Sequence, residues 1–205
     1  MRSFALLTVA GLATAASASI LNPGQSFETN PGTIPAESAP TGTVIATLTS
    51  PFTAGTFSGS LFTQVIQGDS TNPLGGLTFV YTLTNNAVSP DAINRLTITG
   101  WQGWSTDAAY DVTSAGVIPF DIDRSSNANV IGVDFQQDGT TVPLTPGTTG
   151  RRIVIQTNAP AFREVTANVI DGSVVSVTTY GPAVPAPAAA GLLALGALGA
   201  ARRRR

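Results

Sequence analysis

The 205-residue chain contains neither cysteine nor histidine, which excludes disulfides, thiol nucleophiles, thiolate or imidazole metal sites and the Ser-His-Asp triad. Its formal net charge is −2, yet all ten basic residues are arginine, and five of them (Arg2 and Arg202 to Arg205) sit at the ends. Without the ends, five arginines face twelve acids, a charge of about −7, and so acidic a core repels phosphate backbones and argues against nucleic-acid partners.

The N-terminus reads as an address. Met1 and Arg2 form a short positive region, Phe4 to Ala13 is apolar, and Ala16-Ser17-Ala18 offers small residues where a signal peptidase reads. A signal peptide over residues 1–18 is expected, with cleavage after Ala18. The next stretch, residues 19–41, is rich in Pro, Gly, Ser and Thr without periodicity and reads as an extended arm or linker.

Residues 42–183 alternate between β-rich runs and turn clusters. Thr43 to Thr49 is short and β-branched, and Thr56 to Gln67 puts Phe57, Leu61 and Val65 on one face. Leu77, Phe79, Tyr81 and Leu83 alternate with threonines and Val80, the cleanest half-buried strand in the chain. Ile93 to Thr99, Val130 to Phe135 and Ile153 to Thr157 are further short runs. Val165 to Ile170 and Ser173 to Tyr180 flank Asp171-Gly172, which predicts a hairpin with a two-residue type I′ turn. Many short strands, frequent turns and no amphipathic helix predict an all-β fold, an antiparallel β-sandwich of jelly-roll or immunoglobulin-like type.

The C-terminus is a second address. Val184-Pro185-Ala186-Pro187 precedes an apolar run from Ala188 to Ala201 and the cluster Arg202, Arg203, Arg204 and Arg205. As a helix this run spans roughly 21 Å, short of the ~30 Å hydrocarbon core, so it is a marginal anchor held by arginines on the cytoplasmic side. In its order of motif, apolar helix and basic end, the tail (residues 184–205) resembles a PEP-CTERM sorting signal, with Ala186 where the family usually has glutamate. The resemblance implies an exosortase-type processing enzyme as partner, besides signal peptidase, and transient attachment to the membrane. From Phe57 to Tyr180 the core also resembles uncharacterised domains of other PEP-CTERM proteins, a likeness that implies no activity.

Three groups of residues are candidate sites. Asp121, Asp123, Ser125 and Asn127 form a D-x-D-x-S-x-N series, with Asp134 nearby. Alternate oxygen ligands of this kind converge on Ca²⁺ when the chain wraps around it. The series departs from an EF-hand loop, with Ser126 at the glycine position and Gly132 at the glutamate position, and reads first as a solvated, Asx-rich loop between strands, with calcium the alternative. Trp101 and Trp104, among glycines, either stack on sugar rings of an exopolysaccharide or pack at the end of the sandwich. Asp107 with Asp111, or Asp121 with Asp123, supplies the residue types of a glycosidase pair, but such a pair needs a defined separation across a cleft. With no histidine or lysine to activate a serine, no catalytic residue is assigned. The sequence thus predicts an exported, non-catalytic protein of the cell surface or extracellular matrix, without cofactor unless Ca²⁺ binds. The alternatives are a polysaccharide- or calcium-binding module and a carboxylate-dependent hydrolase.

Overall fold

Alternating side chains give each strand an apolar face, and two sheets bury those faces against each other. A computed structural model describes residues 19–28, 34–136 and 143–184. The expected signal peptide, Pro185, Ala186, Pro187, the apolar run and Arg202 to Arg205 lie outside these residues. Among the described residues there are twelve strands and no helix.

The first sheet contains β1 (Ser26–Glu28), β6 (Arg95–Thr99), β8 (Asp121–Arg124), β9 (Val130–Asp134), β11 (Phe162–Asp171) and β12 (Ser173–Pro182), in the order β1-β8-β9-β6-β11-β12. The second contains β2 (Ala36–Glu37), β3 (Thr43–Thr53), β4 (Ser58–Gln67), β5 (Thr78–Asn85), β7 (Thr106–Asp111) and β10 (Ile153–Thr157), in the order β2-β7-β10-β5-β4-β3. All pairings are antiparallel except β2 with β7. Phe57, Leu61 and Val65 meet Leu77, Phe79, Tyr81 and Leu83 in one core with Leu96, Ile98, Ile122, Ile131 and Val133. Hydroxyl groups also join the sheets: Thr63 and Thr179, both fully buried, lie 2.6 Å apart, and the Tyr81 hydroxyl donates to the Tyr180 carbonyl at 2.6 Å.

Two expectations are corrected. The described parts of residues 19–41, 19–28 and 34–41, are not a linker separate from the domain: β1 and β2 extend opposite sheets at their edges, and Leu21 and Ile34 are buried in the core. Pairing with β8 and β7 satisfies backbone groups that a free arm would leave to water. The β11–β12 hairpin forms, but Ile170 pairs with Val174 and Asp171 with Ser173, so the two-residue loop does not. Gly172 has φ 60°, whereas Asp171 does not share the left-handed conformation that a type I′ turn needs at both positions.

β2 and β3 stand at opposite edges of the second sheet, so Ser38 to Gly42 must carry the chain from one edge to the other. Asp69, in the loop after β4, receives it: Thr41 donates its backbone N–H to Asp69 Oδ1 at 3.0 Å and its hydroxyl at 3.2 Å. Asp107, Thr78 and Gln156 share one row of this sheet's outer face, and all three are buried.

Candidate functional sites

The aspartates of the D-x-D-x-S-x-N series part company with its amides and hydroxyls. Asp121 and Asp123 are two apart on β8 and so share its outer face. Asp134 on β9 lies directly opposite Asp121. One carboxylate oxygen from each of the three falls within 4.8 Å of the others. Ser125 and Asn127 are instead spent on the β8–β9 turn: Ser125 Oγ donates to Asn127 Oδ1 at 2.7 Å and accepts from Val130 N at 2.9 Å. Ala128 completes that turn with φ 63°. Of the five residues named from sequence, three are brought together and two are not.

A cation already stands among the three acids. Arg95 on β6 lies opposite Asp134 and pairs with it through Nη1, while its Nη2 reaches Asp123 at 2.5 Å. The reach is diagonal and crosses Gly132, the residue opposite Asp123. Ser26 Oγ donates to Asp121 Oδ1 at 2.7 Å, and Glu28 pairs with Asp121 in the register. The outer face of this sheet thus carries Glu28, Asp121, Asp134 and Arg95 in a single cross-strand row. Burial pushes the Asp134 carboxyl up to about 6; Arg95 opposes this, while Asp123 and Asp121 add to it. Burial likewise raises Asp121.

Trp101 is 0% exposed. Its ring meets Phe79 edge-on at 5.6 Å and Tyr81 at 6.5 Å, and its Nε1 donates to the Ile98 carbonyl at 3.0 Å. It therefore offers no face to a sugar ring, and of the two readings open for it, stacking and packing, it packs in the core. Trp104 is half-buried, with Nε1 donating to the Ala183 carbonyl at 2.8 Å. Between the two lies a buried arginine that the sequence reading passed over. Arg124 points its guanidinium at the carbonyls of Leu21, Trp101, Trp104 and Ala128 and at the Thr106 hydroxyl. Burial lowers its pKa. With its donors on backbone oxygens and no carboxylate partner among the described residues, it acts as a staple for the tryptophan loop.

The glycosidase pairs do not face each other across a cleft. Asp121 and Asp123 are neighbours on one strand. Asp111 is ion-paired with Arg152 and accepts from Thr113 N at 2.8 Å, whereas Asp107, four residues back on the same strand, belongs to a different cluster.

That cluster lies beside the Ser38–Gly42 crossing. Asp107 is 1% exposed and pairs in the register with Gln156, which is also 1% exposed. Gln156 turns its Nε2 to Thr71 Oγ1 at 3.0 Å and Asp69 Oδ2 at 3.3 Å. Asp107 Oδ1 and Gln156 Oε1 are both buried with no donor among the described residues. Asp107 Oδ2 accepts one hydrogen bond, from the backbone nitrogen of Ser19 at 2.8 Å. Burial pushes Glu37 up to about 7, with repulsion from Asp107 and Asp69 adding to the effect. Burial also raises Asp107. Asp69 differs: burial pushes it up, but hydrogen bonds from Thr71, Thr78 and Thr41 outweigh this and hold it below the ordinary value. No charge pattern in the sequence marks Glu37, Asp69 and Asp107 as neighbours, because the crossing that assembles them is a long-range feature.

The chain matches no protein-family model, no curated protein and no solved structure.

Proposed function

We propose that this chain is an exported, non-catalytic protein of the cell surface or extracellular matrix, delivered by its leader and sorted through its tail by an exosortase-type enzyme. One observation carries the reading. Among the described residues the first to pair, Ser19 to Leu21, follow directly on Ala16-Ser17-Ala18 in the sequence. Among the described residues the last one clamped, Ala183, directly precedes Val184-Pro185-Ala186-Pro187; Ala183 donates its N–H to the Ala161 carbonyl at 2.9 Å and accepts from Trp104. Cuts after Ala18 and after Val184 would leave every described strand whole. Val184 itself is exposed, as a segment presented to a processing enzyme must be.

The non-catalytic part of the reading draws on the site chemistry: Asp111, Asp123 and Asp134 are paired with arginine, Asp69 and Asp107 are buried, and among the described residues no nucleophile–base couple accompanies them. Expression of the full chain in an exporting host, followed by fractionation and terminal sequencing, tests the proposal. The expected product starts at Ser19 and is found on the surface or in the matrix. A cytosolic product with residues 1–18 intact would sink it.

Calcium binding is the second reading, favoured by the convergence of Asp121, Asp123 and Asp134. It requires Arg95 to leave the site, since a guanidinium and a divalent cation compete for the same oxygens.

A further inference from the structure

Ser19 to Leu21 runs antiparallel along β7, so its backbone is held rather than trailing. Ile20 bridges to Asp107, Ser19 O accepts from Ala108 N at 3.4 Å, and Leu21 N donates to Thr106 O at 2.9 Å. Leu21, 0% exposed, locks this register by filling the core. The nitrogen of Ser19 is thereby fixed at 2.8 Å from Asp107 Oδ2.

The surroundings of that nitrogen are built for more charge than an amide N–H carries. Asp107 Oδ1 and Gln156 Oε1 are buried acceptors without donors among the described residues. Glu37 and Asp69 add negative potential, and among the described residues no arginine pairs with Glu37, Asp69 or Asp107. Buried carboxylates without a cation are costly. An ammonium group has three donors and one positive charge, the complement of this deficit.

We propose that cleavage after Ala18 turns the Ser19 nitrogen into an α-ammonium that docks on Asp107 in the acidic pocket shared with Gln156 and Glu37, so that removing the leader completes the fold. The inference rests on the export reading for the position of the cut. In the cleavage, water gives its oxygen to the new Ala18 carboxylate, and its two protons end on Ser19 nitrogen as –NH₃⁺. The nitrogen need not move, because its hydrogen bond to Asp107 is already in place. A chain that still carries Ala18 has an uncharged amide at this point, and its pocket stays uncompensated.

The sequence offers a clean probe: with no lysine in the chain, the α-amine is its only primary amine. Three forms are compared: the chain from Ser19 to Arg205 with a free amine, the same chain extended by Ala18, and the Ser19 form carrying Asp107→Asn. An amine-selective acylating ester is applied at neutral pH, and each form is melted. In the Ser19 form acylation is expected to be at least about tenfold slower than in the Ala18-extended form, and the melting temperature about 5 °C higher. Asp107→Asn is expected to remove both differences; if that variant does not fold, the acylation ratio of the other two forms decides alone. Equal acylation and equal melting would overturn the docking while leaving export untouched. Terminal sequencing of the naturally exported protein separates the two ideas, since a start at any residue other than Ser19 would remove the ammonium from Asp107 and overturn the proposal at its premise.

Discussion

Gly132 lies beneath the guanidinium of Arg95. A Cβ at position 132 would collide with Arg95 Nη2 and with Asp123 Oδ1, so the missing side chain is what opens the diagonal from β6 to β8. The backbone there is ordinary strand, and the requirement for glycine comes from contact rather than from φ. Gly132→Ala is therefore expected to push Arg95 off Asp123, and because the atoms it meets are ends of side chains that can swing away, the cost in urea unfolding is about 1 kcal/mol. Gly172→Ala, with open space around its Cβ and only backbone strain against it, is expected to cost about 1 kcal/mol.

Arg95 also decides whether the acids bind metal. In the native chain it pairs with Asp123 and Asp134, so millimolar calcium is expected to leave the melting temperature unchanged. Arg95→Gln leaves three carboxylates converging within 4.8 Å without a cation. Calcium is then expected to raise the variant's melting temperature by several degrees, reversibly with chelator. A calcium-dependent rise in the unsubstituted chain would instead favour the calcium-module reading.

The same row sets a pH dependence. An unfolded aspartate titrates near 3.9, whereas folded Asp134 titrates at about 6, because burial outweighs the pull of Arg95. Asp121 is raised for the same first reason, and Glu28 and Asp123 face it with like charge. The native state thus binds protons more tightly than the unfolded state. This contribution is full below the unfolded value and is lost as pH rises through the folded value. Urea midpoints are expected to fall from about pH 4 to beyond pH 7, with Glu37, raised to about 7, sharing the decline and Asp134 accounting for about 2 kcal/mol of it. Asp134→Asn should lessen the fall between about pH 4 and pH 6, leaving the part that belongs to Glu37; an unchanged slope there would place the titration elsewhere.

Much of the architecture was legible in local pattern, and what was missed has a common cause. Leu77 to Leu83 and the runs around Leu96, Val133 and Ile155 betray themselves by β-branched and apolar residues at period two. β7 escapes because its sequence, Thr-Asp-Ala-Ala-Tyr-Asp, is buried on both faces and carries two aspartates, residues poorly suited to strands. Those aspartates belong there only because Ser19, Arg152 and the chain around them come from elsewhere in the sequence. β1 and β2 are too short to show a period. At the sites, spacing along the chain brought out Asp121 and Asp123 but not Arg95, which joins them through sheet pairing alone. It also overcounted Ser125 and Asn127, whose side chains close a turn.

The tryptophans show how this affects an experiment. Loss of sugar binding on Trp101→Ala would carry no information about a ligand, because the substitution empties a fully buried site beside Phe79 and Tyr81. It is expected to cost about 3–5 kcal/mol and to leave little folded protein. Circular dichroism melting checks this directly.

Trp104 gives the more useful variant, because its ring and its N–H do separate things. The N–H ties Ala183 to the tryptophan loop, and Arg124 holds that loop through the Trp101 and Trp104 carbonyls. Trp104→Phe retains an aromatic ring and removes the donor together with part of the indole's volume, at a cost of at least about 1 kcal/mol in global stability. Its larger effect should be local. With the Ala183 carbonyl released, the last residues of β12 are held there by the Ala183–Ala161 hydrogen bond and strand pairing alone. Limited proteolysis is expected to trim the variant back into residues 180–183, whereas the native chain should stop at Val184. Trimming at the same position in both would mean that the end of the sandwich is fixed by pairing with β11, and that the tryptophan contributes nothing to it.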